Sequence, residues 1–146
     1  MKSFICWISP KSKENWDICK QNNMWGIGKN SNVANDHCKK ISKGDRLYIW
    51  VGDLGYVASA EVTVDRPIYV DNVDITAPWR GDYSYLIPWK ITKELNKPVY
   101  LKFNLPGQVQ EITNVKQGVT ISGFFEINQD QSKALENIFE QNFKKY

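Results

Sequence analysis

The chain has 146 residues, a formal net charge of +3, and 42% hydrophobic and 24% charged residues. That size is expected to fold as one domain spanning residues 1–146, and the composition is ordinary for a globular protein. The mild charge permits a polyanion partner without announcing one. No apolar run approaches a membrane span and the N-terminus lacks a signal-peptide pattern, so a cytoplasmic protein with no membrane partner is expected.

The six Trp exceed what a core of this size requires, which favours a ligand that stacks on broad aromatic faces. The three cysteines, Cys6, Cys19 and Cys38, are odd in number and widely spaced, as reduced thiols would be. His37 beside Cys38 raises a zinc site, but no CxxC or equivalent pair accompanies it; no metal and no cofactor is expected.

Phe4 to Ile8 is a continuous apolar run and predicts a buried first strand. Ser12 is a suitable N-cap for a helix of roughly ten residues, with Trp16, Ile18 and Cys19 on its partly buried face. Gly26, Gly28, Asn30 and Asn32 predict a polar loop after Trp25. Asn15 and Trp25 thus stand at the two ends of one short helix and outline an aromatic pocket with an amide in its wall. A second short helix is expected from Val33 to Lys40.

Lys43-Gly44-Asp45 predicts a turn into a strand, Arg46 to Val51, with Leu47, Ile49 and Val51 on one face and Tyr48 and Trp50 on the other. A turn through Gly52 and Gly55 leads to a strand from Tyr56 to Val64. A long connection, Asp65 to Asp82, delivers Trp79 and Arg80 before a strand from Tyr83 to Ile91. Shorter strands are expected at Val99–Phe103, Glu111–Val115 and Val119–Ile121. A final helix begins at Asn128 or Asp130 and carries Leu135, Ile138, Phe139 and Phe143 at helical spacing. Short strands flanked by helices predict an α+β fold, a small β-barrel of about five to six strands.

In order along the chain, FICWIS, ENWDICKQNNMWGIGKN, KGDRLYIWV and PWRGDYSYLIPWKI resemble the EVE domain family. That family belongs to the PUA-like superfamily and is related to the YTH domains that read methylated RNA. The segment VKQGVTI is similar to a Gly-containing turn late in YTH domains. The resemblance implies that Trp25 forms one wall of a base cage, that Asn15 hydrogen-bonds the ring edge, and that Trp79 is the second wall. Trp16 either lines this pocket or packs into the core. At Gly26 YTH domains commonly carry a small polar residue, so the identity of the base is left open.

Such a reader would bind DNA or RNA carrying a modified, methylated base and flip that base into the aromatic cage. Extrusion costs a few kcal/mol, stacking returns ~1–3 kcal/mol per base, and one buried methyl adds ~0.8 kcal/mol. Lys11, Lys29, Lys43 and Arg80 are candidate phosphate contacts. No P-loop, dinucleotide fingerprint or HExxH motif is present, and no enzyme activity is expected. A monomeric reader would leave the chemistry to a partner nuclease or modification enzyme. The alternative is a small-molecule module, binding or enzymatic, that uses the same pocket for a nucleobase or nucleoside-like ligand.

Overall fold

The first strand, β1 (Ser3–Ile8), is an unbroken apolar run because it is covered on both faces. In the computed structural model, which describes residues 1–8, 14–29, 31–70, 83–100 and 123–142, β1 lies between two neighbours. It pairs in parallel with β3 (Arg46–Val51) and antiparallel with the late strand Phe124–Ile127. The elements between are α1 (Glu14–Asn22), β2 (Met24–Gly28) and α2 (Asn32–Cys38). After β3 come β4 (Gly55–Val62), β5 (Ile68–Tyr69), β6 (Tyr83–Val99), β7 (Phe124–Ile127) and α3 (Gln129–Asn142). The strands form one curled mixed sheet in the order β2-β6-β4-β3-β1-β7, with β5 beside β6. Among the described residues the result is a half-barrel with three helices, an α+β fold as expected.

Alternation along the strands sorts side chains into two cores. Phe4, Cys6 and Ile8 of β1 join Leu47, Ile49 and Val51 of β3 and the small Ala58 and Ala60 of β4 inside the curl. On the opposite face Ile5, Tyr48 and Trp50 pack with Leu135 and Phe139 of α3. Asn128 caps α3: its Oδ1 accepts the Gln131 N–H, and Gln131 Oε1 accepts the Asn128 N–H, each at 2.8 Å. This reciprocal pair is a capping box.

Two expectations are corrected. Residues after α1 do not form a loop: Asn23 takes a left-handed φ of 52°, ending the helix, and Met24–Gly28 becomes a strand on β6. Trp25 therefore belongs to β2 rather than to a helix end. Likewise, the strand predicted to stop at Ile91 runs on to Val99. Pro88, which cannot donate to a ladder, falls where β6 changes partner: its register mate is Met24 of β2, while Trp89 pairs with Val62 of β4. Ser12, Phe143, VKQGVTI and the strands expected at Glu111–Val115 and Val119–Ile121 lie outside the described residues, as does most of Val99–Phe103.

Candidate functional site

The sheet's two ends, β2 and β7, are bridged by α2, which packs against both. Asn35 fastens one side by donating to the carbonyls of Gly28 (3.0 Å) and Ser31 (2.6 Å). His37 fastens the other, its Nδ1 accepting the Glu126 N–H at 2.8 Å. Cys38 is buried and donates to the Asn35 carbonyl. Among the described residues no three His, Cys, Asp or Glu side chains group as metal ligands.

Beside this seam lies a cavity of about 200 Å³. Asn15 and Cys19 of α1, Trp25 to Gly28 of β2, and Ser31 and Ala34 at the start of α2 form three of its sides. Tyr83 of β6, Phe124 of β7 and the C-terminal end of β1 also line it. No described lining residue carries a charge at neutral pH. Burial pushes the Cys19 thiol up to about 12. Burial, with Cys19 adding to it, does the same to the Tyr83 phenol. A thiol held in this neutral form is a poor nucleophile.

Three buried polar atoms have no hydrogen-bond partner among the described residues: Asn15 Oδ1, an acceptor, and the Nε1 donors of Trp25 and Trp89; Asn15 and Trp25 are residues of the cavity wall. Each buried unmet group costs roughly 1–3 kcal/mol. The other end of the Asn15 amide is held, Nδ2 donating to the Tyr83 hydroxyl at 3.5 Å. Trp25 rests on Trp89, centroids 5.9 Å apart, and Trp16 meets Trp89 edge-on at 6.2 Å.

No family model matches the sequence. It is 34% identical to the UPF0310 protein PH1033 of Pyrococcus horikoshii, the match covering 66% of this chain and 76% of the relative. The chain belongs to the UPF0310 family. Its fold resembles the Mmi1 YTH domain solved in complex with RNA (TM-score 0.61, 12% identity, 96% of this chain and 78% of that one). It also resembles a crystal structure of an Agrobacterium tumefaciens protein (TM-score 0.58, 12% identity, 94% and 92%).

In this UPF0310 chain the fold brings Asn15, Trp25 and Gly26 together on the cavity wall. Trp16 does not line it; the ring is buried against Trp89, with the Lys20 ammonium 5.4 Å away. Lys29 is exposed between two lining residues, Gly28 and Ser31. Lys43 stands elsewhere: it precedes Arg46, which pairs with Ser3, whereas the cavity lies at the Ile8 end of β1. Lys11, Trp79 and Arg80 lie outside the described residues. Sequence reasoning missed Tyr83 and Phe124 as lining residues: Tyr83 reads as a strand position, and Phe124 falls between the predicted strand ending at Ile121 and the final helix, where no strand is expected.

Proposed function

We propose that this UPF0310 chain is an EVE-type reader: a non-catalytic domain that binds nucleic acid and houses one modified base in the cavity between α1, β2 and α2. One observation carries the reading: a cavity whose described lining is uncharged, and whose wall residues Asn15 and Trp25 each bury a polar atom, the acceptor Oδ1 and the donor Nε1, with no partner among the described residues. The edge of a nucleobase presents a donor and an acceptor side by side, and would relieve both. The volume also suits one base, since about 200 Å³ falls below the ~300–1,000 Å³ of pockets that enclose larger ligands. The fold likeness to an Mmi1 YTH domain solved with RNA supports a nucleic-acid ligand.

In this reading the base stacks on Trp25, Asn15 checks its edge, and Trp79 closes the cage from the second side. Lys29 at the rim, with Lys11 and Arg80, takes the phosphates. The neutral Cys19 and Tyr83 favour recognition over reaction, so a nuclease or modification enzyme would act on the marked site.

The test is a tryptophan-fluorescence titration with matched DNA and RNA strands, unmodified or carrying N6-methyladenine, 5-methylcytosine or 5-hydroxymethylcytosine. Asn15→Ala and Trp25→Phe run alongside, each checked for folding by circular dichroism. The expected result is tighter binding to one modified strand, lost by roughly tenfold in Asn15→Ala, the weight of one buried hydrogen bond. Equal binding to every strand, unchanged by both substitutions, overturns the reading. The uncharged wall favours a second reading, a free planar ligand held in the same cavity.

A further inference from the structure

The first half of β6 is flanked by β2 on one edge and β5 on the other. Their registers set Ile27, Tyr85 and Tyr69 side by side across three strands. Directly paired residues share a face, so this row leads from the cavity wall, where Ile27 sits, outward to Tyr69. At ~4.8 Å per strand, Tyr69 is about 10 Å from Ile27.

The two tyrosine rings lie with centroids 5.2 Å apart, tilted by 46°. Tyr69 is 38% exposed, on a strand of only two residues. Lys39, exposed at the C-cap of α2, holds its ammonium 6.0 Å over the Tyr85 ring. Tyr85 packs in part against the inner core and supports the exposed Tyr69 ring, so Tyr69 and Lys39 supply the stacking surface and positive charge that single-stranded nucleic acid requires.

We propose that Tyr85, Tyr69 and Lys39 form a stacking platform for the nucleotides that flank the base in the cavity. This rests on the nucleic-acid reading above. The platform takes single strands, whose unpaired bases can stack, and it is indifferent to sequence because every base has a π-face. It supplies affinity outside the cavity, while the cavity supplies selectivity.

The experiment measures fluorescence anisotropy of short labelled single strands of RNA and DNA, unmodified and modified, over a range of salt. Tyr69→Ala is expected to weaken binding to every strand by roughly five- to a hundredfold, the loss of one stacked base. Tyr69→Phe, which keeps the ring, binds like the parent protein. Lys39→Gln lowers the slope of log affinity against log salt by ~0.7, one phosphate contact on a single strand. Circular dichroism confirms that each variant is folded, and the Lys39 slope stands as an independent readout should Tyr69→Ala fail to fold.

A Tyr69 effect with no preference for a modified base supports the platform and sinks the cage reading alone. A modified-base preference with Tyr69→Ala binding as the parent protein overturns the platform alone. Failure of the parent protein to bind either unmodified strand overturns it as well.

Discussion

A single atom decides most at the residue scale. Gly55 opens β4 at φ +101°, where it passes the end of β6, and a Cβ there would lie 2.3 Å from the Val99 carbonyl oxygen. The obstacle is backbone, which cannot rotate aside, and a left-handed φ alone strains an L-residue by ~1–3 kcal/mol. Gly55→Ala should therefore lower the calorimetric Tm by at least roughly 4 °C. An unchanged Tm would show that β4 and β6 do not approach as described. Asn15 and Trp25 illustrate the opposite economy: among the described residues their buried acceptor and donor have no partner, and in the proposed reading a base edge would offset that burden.

At the scale of elements, α2 holds the half-barrel's two ends together through Asn35 and His37. His37 accepts a backbone N–H through Nδ1, which only the neutral ring can do. Burial, and then the charge of Lys40, hold its pKa below the usual 6.5, against opposing pulls from Glu126 and Asp36. Below neutrality the folded chain thus binds fewer protons than the unfolded one. The stability from this contact is complete above the ordinary histidine value and is lost as pH falls from there through the lowered folded value. Thermal melts between about pH 7 and 5 should show Tm declining. His37→Asn, which keeps an acceptor but does not titrate, should flatten that decline; an equal decline in both proteins would place the cause elsewhere. On the other face, Glu136 of α3 behaves as an acid counterpart. Burial pushes its carboxyl up, but hydrogen bonds from Lys93, Arg46 and Tyr48 outweigh this and hold it below the usual range. Its contribution is present above the ordinary carboxylate value and is lost as pH falls through the folded one.

For the molecule as a whole, charge separates the two functional readings. The described cavity wall is uncharged, while Lys29 at its rim and Lys39 beside the tyrosine row are exposed. A bound strand would release counterions at each phosphate contact, so affinity should fall with a log–log salt slope of ~0.7 per contact. A neutral planar ligand enclosed by the same walls would show almost no slope. Calorimetric titration at several salt concentrations, with a strand and with a free nucleoside, measures both. Salt-independent binding of the strand would favour the small-ligand reading.

Much of the scaffold is legible in the sequence because it is local. The apolar run Phe4–Ile8, the alternation from Arg46 to Val51, the glycine turn before β4 and the helical spacing of Leu135 and Phe139 each follow from neighbouring residues. Asn15 and Trp25 were recognisable as a pair from the same short stretch, and the fold sets both on one cavity. Other features became visible only when distant segments met. Met24–Gly28 reads as the end of a helix at Trp25 followed by a loop, because two glycines erase its alternation; hydrogen bonding to β6 makes it a strand and sets the Trp25 ring against Trp89. Pro88 lies inside the strand predicted from Tyr83 to Ile91, but only the fold shows that β6 changes partner there, with the Trp89 N–H reaching the Asn23 carbonyl and the strand running on to Val99. Asn35 and His37 look like the solvated side of a short helix until β2 and β7 arrive on either side of it. Local pattern thus determined which segments become helix or strand. The cavity and its partners were decided by ladder pairing and closure across the chain, which no short stretch encodes.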